Sequence, residues 1–287
     1  MWSIEGKTCM ITGPTAGIGR VTARELARRG ANLVLVARSR ARAEETVRDI
    51  RERTPGANLE VMIADLASQA EIRRLADAFL ATNRPLHVLV NNAGVFNLRR
   101  ELTPDGIEAT LAVNHLAYFL LTLLVLPRLR ESAPARIVNV ASDAHRWGTI
   151  GFDDLQGERS YRAMKIYGRS KLANILFTSE LARRLEGSGV TVNCLHPGAV
   201  GTQLGSNNGA IAKLLMPIAR LFLRTPEKGA ETTIYLASSP EVEGVSGDYF
   251  ADGKPRRSSR EACDADVARR LWRVSEQMTG LAATAAA

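Results

Sequence analysis

Tyr167 and Lys171 are the two residues of this 287-residue sequence best placed to move a proton. They stand four residues apart at the start of an apparent helix running towards Arg184, so they share one helix face. A free phenol has a pKa of about 10 and is a poor base near neutrality. A nearby ammonium favours the phenolate, which would make the pair an acid/base couple for an alcohol or carbonyl oxygen. Ser142, just past the apolar run 137–141, can donate a hydrogen bond to that oxygen. Asn114 interrupts the apolar stretch 111–126 and could hold a water linking Lys171 to solvent. Each residue also has a plainer reading. Tyr-x-x-x-Lys recurs by chance, a serine after a strand is a common cap, and an asparagine can simply bend its helix. The joint order of all four, behind the motifs described next, is what carries the chemical expectation.

Those motifs describe a nucleotide site. Thr12-Gly13-Pro14-Thr15-Ala16-Gly17-Ile18-Gly19 follows the first apolar run and opens an amphipathic helix. Glycines allow a sharp turn and close approach to a pyrophosphate, whose charge is favoured at a helix N-terminus. Gly13, Thr15, Gly17, Ile18 and Gly19 are therefore candidate cofactor contacts. The second run ends at Ala37-Arg38, where an NAD-preferring site commonly carries an acid for the ribose 2′-hydroxyl. With no carboxylate there and a guanidinium able to grip a 2′-phosphate, NADP(H) is the expected cofactor. Asp65-Leu66 follows the third run and can meet the adenine edge. Asn92, Ala93 and Gly94 follow the fourth and leave room for close backbone approach.

Every one of these groups sits just past a short run of Val, Ile and Leu. The runs at 8–12, 33–37, 59–63, 88–91, 137–141 and 191–195 lack two-residue alternation, as strands buried on both faces do. Helical stretches such as 21–29, 40–53 and 72–81 lie between them. Repeated β-α-β units predict an α/β fold, a doubly wound parallel sheet of Rossmann type. Ligands in such folds bind outside the carboxyl ends of the strands, where the singled-out residues fall. With no Pro/Gly/Ser-rich linker, a single domain over 1–287 is expected, with a disordered Ala-rich tail at 281–287.

Composition excludes other classes. Hydrophobic residues are 45% and charged residues 24%, as in soluble globular proteins. The net charge of +8 invites a nucleic-acid reading, but the arginines are interleaved with acids as on solvated helix faces. No nucleic-acid partner is expected. Cys9, Cys194 and Cys263 are far apart, with no metal-ligand spacing, which argues for a reducing, cytoplasmic setting and against a structural metal. Only 1–6 precede the first strand, too little for a signal peptide or anchor. The stretch 111–126, closed by Pro127, is shorter than the roughly 20 residues of a bilayer span and reads as a buried helix.

The chain resembles the short-chain dehydrogenase/reductase family from Gly6 to about Gln277. The resemblance implies that Asn114, Ser142, Tyr167 and Lys171 form the catalytic tetrad, and that Gly13, Gly17 and Gly19 form the phosphate loop. It further implies that the main chain of Pro197-Gly198, continued through Val200 and Thr202, holds the nicotinamide carboxamide and nearby phosphate. A narrower resemblance, to the retinol dehydrogenase branch, rests on Leu155-Gln156-Gly157-Glu158, Ser170-Lys171-Leu172-Ala173-Asn174-Ile175-Leu176-Phe177-Thr178, His196-Pro197-Gly198, Tyr249-Phe250-Ala251-Asp252 and Arg269-Arg270-Leu271-Trp272. That branch reduces retinal and other apolar aldehydes and ketones with NADPH. Two departures stand out: the sequence lacks the membrane anchor of many animal members, and Ala141 occupies the place of a usual second serine.

The expected activity is hydride transfer between NADP(H) and a small apolar carbonyl or alcohol, in a protein with no stable membrane span. A nucleotide-sugar epimerase shares the Tyr/Lys pair but has a differently spaced glycine loop. A sensor of NADP(H) without turnover has no need of all four catalytic groups. An acylated Ser142 lacks a base, since His145 and His196 fit no triad pattern. His145 and Trp147 could line a substrate pocket or pack a loop. Residues 201–225, with hinge-like glycines and an apolar helical face, are expected to form a substrate lid. The 111–126 helix and the helix after Tyr167 could form a homodimer interface.

Overall fold

The computed structural model of the chain describes residues 2–200 and 224–281. Most of the expected lid, including Thr202, and all of the expected tail but Leu281 lie outside those residues. The strands are β1 (Thr8–Thr12), β2 (Asn32–Ala37), β3 (Leu59–Ile63), β4 (Val88–Asn91), β5 (Ala135–Val140), β6 (Val190–His196), β7 (Tyr249–Ala251) and β8 (Lys254–Pro255). They form one sheet in the order β3-β2-β1-β4-β5-β6-β7-β8. All neighbours run parallel except β7 and β8. The order reverses between β1 and β4, which opens a crevice at their carboxyl ends.

Helices cover both faces: α1 (Gly17–Arg28), α2 (Arg40–Arg53), α3 (Gln69–Ala81), α4 (Ala109–Glu131), α5 (Ala163–Arg184), α6 (Pro226–Ser238) and α7 (Ala265–Thr279). Successive strand side chains point to opposite faces, and the burial follows. Met10, Val34, Val36 and Leu89 pack with Phe79, Phe119, Phe177 and Trp272 of α3, α4, α5 and α7. Cys9, Ile11, Leu33, Leu35, Val88 and Val90 pack with Val21, Leu26 and Ile234 of α1 and α6. At about 1.5–3 kcal/mol for each large aliphatic side chain fully buried, this two-sided core holds the strand ends that carry the site.

Three local expectations are corrected. The edge strand β3 is half-buried along its whole length, because only β2 flanks it. Pro127 does not close its helix, which continues to Glu131. Tertiary contacts hold the last turn there: Arg128 donates from Nη1 to the Arg84 carbonyl at 2.9 Å. At 23 residues α4 is therefore long and apolar enough to cross a membrane, but 78% of its most apolar window is buried inside the protein. Core packing accounts for its composition.

Candidate active site

A cleft of about 890 Å³ runs along the carboxyl ends of the strands. At one end is the glycine loop. Gly13 has φ +66°, and a Cβ on Gly19 would lie 2.2 Å from the Gly13 carbonyl oxygen and 2.4 Å from Asn92 Nδ2. Only hydrogen fits there. Thr12 is the hub: its Oγ1 accepts from the N–H groups of Asn92 (2.9 Å) and Ala93 (3.1 Å). Asn92 Nδ2 donates in return to the carbonyls of Thr12 (2.9 Å) and Gly13 (3.1 Å). The loops after β1 and β4 are thereby locked together. Helix α1 has Ala16 at its N-cap, with no side-chain cap and no acid in its first turn, whereas Ser39 and Ser68 cap α2 and α3. Uncapped N–H groups behind a glycine cradle fit a pyrophosphate. Gly19→Ala should therefore weaken dinucleotide binding at least tenfold while the sheet stays folded. Cofactor titration alongside circular dichroism checks this.

Further along the wall, Ala37, Arg38, Ser39 and Arg42 line the cleft opposite Asp65 and Leu66. Arg38 lies 4.0 Å from Asp65, both ends largely exposed. The Asp65 N–H is taken by Glu71 Oε2 at 2.7 Å, so the carboxylate and the Leu66 main chain are what could meet an adenine.

At the other end, Ser142, Tyr167 and Lys171 line the same cleft, with Pro197, Gly198 and Val200 beside them. Ser142 Oγ accepts from the Ala144 N–H at 3.1 Å and bonds to the Tyr167 hydroxyl. Lys171 is buried, and its Nζ donates to the Val140 carbonyl at 3.0 Å and lies 5.6 Å from the centre of the Tyr167 ring. Asn114 is fully buried in a π-helical turn, Ala112–Leu116, within α4. Such turns often accompany functional sites. Its Oδ1 accepts from the Val95 N–H at 2.7 Å, and its Nδ2 donates to the Val95 carbonyl and Ser170 Oγ, both at 3.0 Å. Ser170 Oγ donates to the Tyr167 carbonyl at 2.7 Å. The Asn114 amide thus braces the loop after β4 against the helical turn bearing Tyr167.

The electrostatics differ from the simple ammonium–phenolate picture. Burial pushes Lys171 down to about 7. Burial also pushes the Tyr167 phenol up to about 12, against the lowering effect of its bond to Ser142. Desolvation disfavours the charged form of both. At neutral pH, then, the tyrosine stands as a fully protonated acid.

A model of the short chain dehydrogenase family matches residues 7–211. The chain belongs to the short-chain dehydrogenase family. Within this family it falls in the retinol dehydrogenase branch, being 50% identical to retinol dehydrogenase 14 of Homo sapiens over 97% of the chain and 88% of that protein. Among solved structures, a putative uncharacterized protein from Mycobacterium paratuberculosis is 36% identical, with a TM-score of 0.79 over 98% of this chain and 96% of that one. A putative NAD(P)-dependent gluconate 5-dehydrogenase from Beutenbergia cavernae, with bound NADP at low occupancy, is 29% identical with a TM-score of 0.71, over 87% and 96%. This short-chain dehydrogenase is accordingly an oxidoreductase of a family that uses NAD(P)(H).

The cleft gathers Gly13, Thr15, Gly17, Ile18, Gly19, Arg38, Asp65, Leu66, Asn92, Ala93, Gly94, Ser142, Tyr167, Lys171, Pro197, Gly198 and Val200. His145 is buried in the loop after Ser142, whereas Trp147 is 63% exposed. Sequence reasoning missed Thr12 as the loop hub, Arg42 on the wall, and Phe96, whose ring meets that of Tyr167 edge-on at 5.5 Å. Arg42 was signalled weakly: it lies in the first turn of a helix whose Ser39 cap is recognisable.

Proposed function

We propose that this short-chain dehydrogenase is an NADP(H)-dependent reductase of apolar aldehydes or ketones, with Tyr167, Ser142, Lys171 and Asn114 as its catalytic groups. The observation that carries the reading is the cleft itself: a Tyr/Ser/Lys cluster at one end, two arginines and no acid from β2 at the other. When bound, reduced nicotinamide would supply the hydride for the carbonyl carbon. Ser142 directs its hydroxyl at the carbonyl oxygen, since its Oγ already accepts from Ala144. Tyr167, whose phenol is pushed up to about 12 by burial and so is protonated at neutral pH, donates the proton. Lys171 keeps donor capacity for the nicotinamide ribose and, while protonated, resupplies Tyr167. Asn114 holds the loop and helix that flank the reacting atoms.

Two cations support the 2′-phosphate. Arg38 pairs with Asp65 only at the 4.0 Å limit, an exposed contact worth about 0–1 kcal/mol. A charge-assisted bond to phosphate is worth about 1.5–3 kcal/mol, so the guanidinium turns to the phosphate. Apolar substrates are supported by Leu102, an exposed hydrophobic residue on the cleft wall. The exposed large hydrophobic residues among those described are Leu98, Leu102, Trp147 and Met164. Leu102 lines the cleft, Met164 lies three residues before Tyr167, and Trp147 lies five after Ser142. A panel of aldehydes read by NADPH absorbance tests the proposal: apolar members should be consumed, and Leu102→Ser should raise their KM while sparing small polar ones.

The pH dependence follows from Lys171. Its folded pKa of about 7 leaves the ammonium present below neutrality and lost above it. The kcat/KM for NADPH, which reports groups of the free protein, should fall as pH rises through about 7. Lys171→Arg should move that limb out of range. A profile flat to pH about 9 would remove Lys171 from the proton path.

A further inference from the structure

We infer that His145 is a positioning residue, which ties the main chain of Ser142 to the segment 256–261 beyond the last strand and so holds the serine hydroxyl in line. The inference rests on the reading of Ser142 as the residue that meets the substrate oxygen.

His145 is fully buried, and both ring nitrogens meet main chain. Nε2 lies 3.1 Å from the Ser259 N–H, and Nδ1 lies 2.8 Å from the Ser142 carbonyl. An amide N–H can only donate and a carbonyl can only accept, so a single tautomer satisfies both. Nε2 carries the lone pair, Nδ1 carries the hydrogen, and the ring is neutral. Burial, which lowers the pKa of His145, acts the same way. The imidazole is therefore a rigid strut with one polarity.

What the strut holds is a tight turn. The Ser142 carbonyl also accepts from the His145 N–H at 3.0 Å, and Ser142 Oγ accepts from the Ala144 N–H. Rotating the 142–143 peptide would break all three bonds and re-aim the hydroxyl. The far side is pinned as well. Tyr249 packs edge-on against the His145 ring at 5.2 Å and donates its hydroxyl to Asp143 Oδ1 at 2.8 Å. The Asp143 N–H donates to His196 Nδ1 at 3.1 Å. Two further ties join the same strands of chain: Arg146 Nη2 to the Arg257 carbonyl at 2.8 Å, and the Ile150 N–H to Glu261 Oε1 at 2.7 Å. The turn has little slack against α5, because a Cβ on Gly168 would come within 2.5 Å of the Ala144 carbonyl oxygen. The segment 256–261 thus acts as a buttress for the catalytic turn, with His145 as the link.

Paired substitutions separate this role from plain packing. In His145→Asn an amide N–H can take the place of Nδ1 and keep the Ser142 bond while losing Ser259. His145→Gln reaches towards Ser259 and loses Ser142. With an apolar aldehyde such as decanal and NADPH, kcat should fall tenfold or more in His145→Ala and His145→Gln. His145→Asn should stay within threefold of the parent, and NADPH affinity should be unchanged in all three. Equal losses in the Asn and Gln variants, or normal kcat in His145→Ala, would overturn the inference. Hydrogen exchange reads the strut without turnover. Amides of 142–148 should exchange faster in His145→Ala and His145→Gln but not in His145→Asn, and equal exchange in all variants would contradict it. Should the parent protein reduce no carbonyl at all, the proposed function fails, while the exchange arm still decides whether the strut exists.

Discussion

Tyr167→Phe should lower kcat by about a thousandfold, within the 10²–10⁴ typical of a positioned general acid, while NADPH binds with unchanged affinity. The hydroxyl is the only atom removed. The ring keeps its edge-on contact with Phe96, and Lys171 keeps its bond to the Val140 carbonyl. The glycine cradle and the locked loops after β1 and β4 lie at the other end of the cleft. Rates with NADPH and aldehyde, alongside fluorescence titration of the cofactor, check both halves. Near-normal turnover would take Tyr167 out of the chemistry.

The other large effect is expected at the adenosine end. Arg38→Ala together with Arg42→Ala should weaken NADPH by two to three decades and leave NADH nearly unaffected. Each charge-assisted bond to phosphate is worth about 1.5–3 kcal/mol, and each 1.4 kcal/mol is about tenfold in affinity. Both side chains are exposed, so neither substitution opens a cavity or leaves a buried charge. Only the loosely held Asp65 carboxylate gains freedom, at a distance where its pairing contributed little. Calorimetric titration of the two cofactors against the double variant checks it. Parallel losses for both would place nucleotide selection elsewhere.

Much of this was legible in the sequence because it is local. Four- and five-residue runs rich in Val, Ile and Leu form strands, and β1, β3 and β4 begin and end where their composition says. Gly13 and Gly19 announce a turn that no larger residue could make. Tyr167 and Lys171 share a face by helical spacing alone, although their helix begins at Ala163, a turn earlier than the pair suggests. What escaped the sequence depends on partners far along the chain. Pro127 looks like a stop until Arg128 meets the Arg84 carbonyl. Asn114 shows only once folded that its amide bonds to Val95 and Ser170. The burial of Tyr167 and Lys171 was hidden for the same reason. Spacing shows that the two are neighbours, but burial decides which of them is charged, and burial belongs to the packed molecule. His145 shows its role only once Ser259, 114 residues away, is brought against its ring.

Reduction differs from mere cofactor binding in the alcohol it forms. The protein is incubated with NADPH and a long-chain apolar aldehyde at neutral pH, and both the cofactor oxidised and the alcohol formed are quantified. One alcohol should form for each NADPH, with reduction at least tenfold slower with NADH and no alcohol above background with Tyr167→Phe. Tight binding of NADPH with no alcohol formed from any aldehyde or ketone in the panel, or equal rates with NADH, would contradict it.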